Sequence, residues 1–114
     1  MAFKVIFHVD ELSKWNLLLR NVRNLTETSG LKSAQIEVLA NSEAVGFYAD
    51  PASDTERNLM RELAEAGIRF VACSNALKGM GIAKGQLPSF VEVVPVGVAE
   101  LIEKQHQGYA YIKP

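Results

Sequence analysis

The one cysteine of the chain, Cys73, closes the apolar run Ile68-Arg69-Phe70-Val71-Ala72 and is followed by Ser74 and Asn75. A thiol at such a boundary is a candidate nucleophile, because its thiolate is the reactive form and N–H groups at the start of a following helix favour an anion. Ser74 and Asn75 add side-chain donors. A lone cysteine serves equally well as a small buried apolar residue, so the position alone leaves both readings open. Spacing narrows the chemistry. Thioredoxin-type exchange needs Cys-x-x-Cys, and Asn75 and Ala76 offer no second thiol. A phosphatase-like loop needs an Arg closing on the phosphate, but Lys78 and Gly79 stand five and six residues beyond the cysteine. A Cys–His hydrolase needs a base within reach, which His8 would have to supply from another strand end.

The remaining polar clusters carry less. Asp10 and Glu11 follow the first apolar run as an acidic pair does in phospho-receiver domains, but the further Asp those domains need would stand where Cys73 is. Lys78-Gly79-Met80-Gly81-Ile82-Ala83-Lys84-Gly85 matches neither a dinucleotide-binding fingerprint nor a P-loop. It reads as a flexible loop, with a lid over Cys73 as its functional alternative. His8, Cys73 and His106 are too scattered to form a metal site, and no cofactor motif is present.

The elements that must position these residues follow from the change of period along the chain. Phe3–Val9, Ala34–Ala40, Ile68–Cys73, Phe90–Val94 and Tyr109–Ile112 read as strands, with Phe3–Val9 and the run ending at Cys73 as buried ones. Between them, Leu12, Trp15, Leu18, Val22 and Leu25 form one helical stripe, with Gly30 placed to cap it. Asn41 is placed to cap a short helix that Asp50-Pro51 breaks. Ser53-Asp54-Thr55-Glu56 is a capping box opening a helix that stops at Gly67. A last helix from Gly97 carries Val98, Leu101 and Ile102 on one face and ends at Gly108. Strands alternating with helices predict a mostly parallel sheet covered on both faces, a three-layer α/β/α fold in one domain spanning 1–114. Ligands of such sheets bind beyond the carboxyl ends of the strands, where His8, Asn41, Cys73, Ser74, Asn75 and Pro95-Val96-Gly97 are expected to gather.

Composition sets the outer bounds. A chain of 114 residues with 48% apolar and 22% charged residues has an ordinary globular makeup, enough for one core. Its 12 Lys and Arg against 13 Asp and Glu argue against a duplex-DNA binder or an electrostatically held membrane protein. One cysteine excludes a disulfide-stapled scaffold. The opening Met1-Ala2-Phe3-Lys4-Val5-Ile6-Phe7-His8 is too short an apolar run for a signal peptide, so a cytoplasmic protein is expected. Trp15, Tyr48, Tyr109 and Tyr111 are a large aromatic complement for a chain of this size, which is expected at an interface unless the rings pack in the core.

With Cys73 in place, the chain resembles the DsrE/DsrF-like family of small sulfur-relay proteins over nearly its whole length. The resemblance is carried by Phe7-His8-Val9-Asp10-Glu11, Ile36-Glu37-Val38-Leu39-Ala40-Asn41 and Gly67-Ile68-Arg69-Phe70-Val71-Ala72-Cys73-Ser74-Asn75-Ala76-Leu77. Val91-Glu92-Val93-Val94-Pro95-Val96-Gly97 and Gly108-Tyr109-Ala110-Tyr111-Ile112 complete it. It implies a five-stranded parallel sheet, homo-oligomers such as trimers or hexamers, and a cysteine at position 73 that carries sulfane sulfur as a persulfide between donor and acceptor proteins. His8, Asn41, Ser74 and Asn75 would line the same edge. The competing expectation is a non-catalytic homo-oligomeric module that binds a small ligand or a protein segment, with Cys73 structural.

Overall fold

Five strands align in parallel because each apolar run is separated from the next by a helix long enough to return the chain to the same end of the sheet. The computed structural model describes residues 3–28, 34–51 and 53–114. In chain order the elements are β1 (Lys4–Val9), α1 (Trp15–Thr26), β2 (Gln35–Ala40), α2 (Gly46–Ala49) and α3 (Asp54–Glu65). They continue with β3 (Arg69–Cys73), α4 (Ser74–Gly79), β4 (Val91–Val94), α5 (Gly97–His106) and β5 (Ala110–Ile112). The sheet order is β4-β3-β2-β1-β5, with all four pairings parallel. The expected three-layer α/β/α architecture is therefore present. Gly30, expected to cap α1, lies outside the described residues.

Strand side chains alternate between faces, and the two faces are covered unequally. Val5, Phe7, Val9, Val38, Phe70 and Ala72 point to the larger core beneath α1 and α3. Trp15 is the centre of that core: it stacks on Phe47 at 4.5 Å between ring centroids and donates Nε1–H to the Ala44 carbonyl at 2.9 Å. Tyr48 lies beside it and donates its hydroxyl to the Val71 carbonyl at 3.0 Å. Burial of both rings corrects the expectation that they face an interface, since the polar atom of each finds a partner inside the fold. Ser53 caps α3 as expected, accepting from Glu56 N–H at 3.2 Å, but the Glu56 carboxylate accepts from the Ser53 hydroxyl instead of its backbone N–H, so only half of the capping box forms.

The opposite face is covered by α5 alone among the described helices, over a small cluster of Ile6, Leu39, Val71 and Leu101. This helix is turned differently from its apolar pattern. Leu101 is buried, whereas Val98 and Ile102 are 58% and 54% exposed. The reason lies in the sheet beneath it. Glu37 of β2 is fully buried on this face, and Arg69 of β3 stands opposite it in register. Glu100 and Lys104 of α5 turn inward to meet them, displacing the apolar residues to the outside.

Candidate functional site

The carboxyl ends of β2, β3 and β4 bring three residues together. Cys73, the last residue of β3, shares a face with Val71 and lies under the start of α5. The Gly97 N–H, at the first position of α5, donates to Cys73 Sγ at 3.3 Å. The space beside Gly97 is narrow: a Cβ there would lie 2.8 Å from both amide atoms of Asn41, whose side chain would have to shift. The Asn41 carboxamide therefore packs against the Gly97 Cα, and the thiol, the helix start and the amide form one contact group. Sγ sits at the start of α5 and receives one of the N–H groups that the helix leaves without an internal partner.

The turn that delivers Asn41 is held tightly. Its N–H donates to Val9 O at 2.9 Å and its carbonyl accepts from Ala44 N–H at 3.1 Å. Ser42, the next residue, has φ 51°, a left-handed conformation that costs a non-glycine residue about 1 kcal/mol. Asn41 occupies the N-terminal position of the following 3-10 turn, as expected, but its side chain makes no cap hydrogen bond. It turns toward Gly97 instead.

The other expected site residues are placed differently. Ser74 and Asn75 begin α4, which is six residues long, and the described hydrogen bonds to Sγ include neither of them. The donor expected from the helix after β3 comes instead from the helix after β4. The sequence marks Gly97 as a helix start at the same strand edge, but its pairing with Cys73 follows only from β4 lying beside β3. The Lys78–Gly85 stretch folds toward the other core, with Met80 Cε 3.9 Å from the Cβ position of Gly46 and Ile82 packed on the large cluster. The start of α5, not this loop, covers the thiol.

His8 points to the same face but belongs to the β1–β5 edge. Two strands away and two residues short of Cys73 in register, it stands about 12 Å from it between Cα atoms at ordinary strand spacings. Its Nδ1 is hydrogen-bonded to Tyr111 Oη at 2.7 Å, while Nε2 is buried without a partner among the described residues. Burial holds its pKa below the usual histidine value against the opposing pull of Asp10, with Lys113 adding to the depression. A neutral imidazole results, and a 3.2 Å ion pair between Lys113 and Asp10 closes this end of the edge.

Comparison with known proteins decides the family. Residues 8–114 match the DsrE/DsrF-like family. The chain belongs to the DsrE/DsrF-like family. A solved structure of a protein of unknown function, MTH1491 from Methanobacterium thermoautotrophicum, is 38% identical, with 98% of this chain and 99% of that chain covered and a TM-score of 0.84. BT1422 from Bacteroides thetaiotaomicron, also described as a protein of unknown function, is 18% identical over 97% of this chain and 94% of its own, with a TM-score of 0.76. The ychN protein from E. coli is 16% identical over 98% and 99%, with the same TM-score of 0.76. These last two share the fold. No curated protein matches the chain. For this DsrE/DsrF-like chain, none of the described helices is long and apolar enough to cross a membrane.

Proposed function

We propose that this chain is a sulfur-relay protein that carries sulfane sulfur on Cys73 and passes it to a partner. The observation that supports this most is the Gly97 N–H on Cys73 Sγ, which gives the only cysteine of the sequence a donor at a helix start. In the loading step the Cys73 thiolate attacks the outer sulfur of a donor persulfide, R–S–SH. The donor S–S bond breaks, R–S⁻ leaves with the electron pair, and Cys73–S–SH forms with no external oxidant. Attack by an acceptor thiolate on the outer sulfur returns the Cys73 thiolate. The lack of a second cysteine suits a carrier, because no neighbouring thiol can discharge the persulfide as an intramolecular disulfide.

The chain acts in the cytoplasm as a homo-oligomer, a trimer or hexamer, and meets sulfur donor and acceptor proteins. The exposed Val96, Val98 and Ile102 at and along α5, with Tyr111 and Ile112 of β5, supply apolar surface for such contacts. One observation favours the alternative, a binding module with a structural thiol: Cys73 is only 5% exposed. Incubation with a persulfide donor, followed by cyanolysis of the protein-bound sulfane sulfur, separates the two. The carrier releases thiocyanate in proportion to Cys73 and none from Cys73→Ser; the module releases none from either.

A further inference from the structure

On the face of the sheet opposite Cys73, α3 and the segment 86–90 leave an open cavity of about 360 Å³ between them. Its size suits a small-molecule ligand. Tyr48, Met60, Leu87, Pro88 and Phe90 supply an apolar wall, part of it aromatic. Phe90 meets Phe70 edge to face at 5.8 Å, and Phe70 meets Tyr48 in the same way at 6.4 Å, so the wall continues the packing of the larger core. The Tyr48 hydroxyl is committed to the Val71 carbonyl inside the fold. The remaining polar side chains of the lining are Arg57, Arg61 and Gln86.

These three offer donors. Arg57 and Arg61 stand four residues apart on α3, which places both on one flank of the helix. The ion pairs among the described residues involve Arg69, Lys104 and Lys113, and neither of these two arginines. Gln86 Oε1 accepts from the Ala83 N–H at 2.7 Å, which leaves its NH₂ group as the free end. Asp54, Glu56, Glu62 and Glu65 all belong to α3, yet none of them lines this cavity. Like charges one turn apart repel, so an anion between the arginines is favoured. A second cavity, of about 520 Å³, meets the first at Arg61, Pro88 and Phe90 and continues past Ala64 to Glu65. Glu65 is two turns from Arg57, so charge directs the anionic end of a ligand to the first cavity and an uncharged body to the shared wall of Pro88 and Phe90.

We infer that this cavity binds a small organic anion with an aromatic body, its oxyanion head held by Arg57 and Arg61 and its ring against Pro88 and Phe90. A guanidinium presents paired N–H groups to a carboxylate or phosphate and a flat face to a ring, so both halves of such a ligand find a partner. An inorganic ion leaves the apolar wall in contact with water, and a neutral ring leaves the two like charges facing each other. The site is independent of the sulfur chemistry, because the cavity is built on the core beneath α1 and α3 while Cys73 faces α5.

Titration with 2-naphthoate and with 2-naphthyl phosphate, followed by backbone amide chemical shifts, tests the site. Saturable shifts are expected at residues 57–61 and 86–90, and none with 2-naphthol or inorganic phosphate at the same concentration. A response to one of the two aromatic anions alone supports the site and identifies its head group. Arg57 and Arg61 are exposed, so Arg57→Gln and Arg61→Gln are expected to fold as the wild type does. Each is expected to weaken binding at least about threefold, and the double variant about tenfold or more. Cys73→Ser is expected to bind the probes as the wild type does. No saturable shift with either aromatic anion, shifts confined to other parts of the chain, equally tight binding of 2-naphthol or phosphate, unchanged affinity in the double variant, or loss of binding in Cys73→Ser overturns the inference.

Discussion

Gly97 donates its backbone N–H to Cys73 Sγ at 3.3 Å from a position 24 residues further along the chain. The contact exists because β4 lies beside β3, so the chain leaving β4 begins its helix directly over the end of β3. Asn41 completes the group from β2. The thiol thus meets one helix start, which the Asn41 carboxamide packs against, and none of the described hydrogen bonds joins Ser74 or Asn75 to Sγ.

Substitution of Gly97 by Ala places a Cβ 2.8 Å from the Asn41 amide, so either the side chain or the helix start must shift. Because those atoms are the end of a flexible side chain that makes no cap hydrogen bond, the loss in stability is expected to be about 1 kcal/mol or less. Asn41→Ala in the Gly97→Ala background removes the clash and is expected to recover part of it. Denaturant unfolding of the two single variants and the double variant measures the coupling.

Removal of Arg69 strands Glu37. Arg69→Met leaves the buried carboxyl facing Glu100 with only Lys104 at 4.0 Å. A loss of about 3 kcal/mol is expected at pH 9, where Glu37 is charged, and a smaller loss at pH 6, where it takes up a proton. Chemical denaturation at the two values checks the difference.

Global stability carries the sign of the Glu37 shift. Its folded pKa, about 8, lies above the ordinary carboxyl value of 4.5, so the folded state binds more protons between these values. Stability is therefore expected to fall as pH rises from about 4.5 to 8 and to level off above that. Glu37→Gln removes this slope.

His8 acts in the opposite sense. Its folded pKa is depressed, so the unfolded chain takes up a proton first and stability is lost as pH falls below about 6.5. The effect is best read in the Glu37→Gln background, where the opposing drift is absent. Unfolding curves between pH 7 and 5 are expected to show a decline that His8→Gln abolishes.

The outward residues of α5 are expected to matter for assembly and not for folding. Val98→Ser with Ile102→Ser should change monomer stability by no more than about 0.5 kcal/mol per site, as for other exposed positions. Light scattering should show that the proposed homo-oligomer dissociates.

Much of this was legible in the residues. Five apolar runs separated by helical stripes predict the parallel three-layer sheet, and the run ending at Cys73 puts the thiol at the ligand-binding edge. Sheet order and helix rotation were not legible. The Gly97–Cys73 contact depends on β4 neighbouring β3, which no local pattern states. In α5 the apolar residues Val98 and Ile102 dominate the helical pattern, yet buried Glu37 and Arg69 turn Glu100 and Lys104 inward. Glu37 itself sits in Gln35-Ile36-Glu37-Val38 as a solvent-facing strand residue would, and only a sheet covered on both faces buries it. Trp15 and Tyr48 looked available for an interface because the carbonyls that accept from them, Ala44 and Val71, lie far away in sequence.

Intact-mass spectrometry after incubation with a persulfide donor tests the central claim most directly. The wild type is expected to gain one sulfur atom that a reductant removes, while Cys73→Ser keeps its fold and gains none. A wild-type protein that gains no sulfur across pH 6 to 9 contradicts the relay and leaves Cys73 as a structural residue.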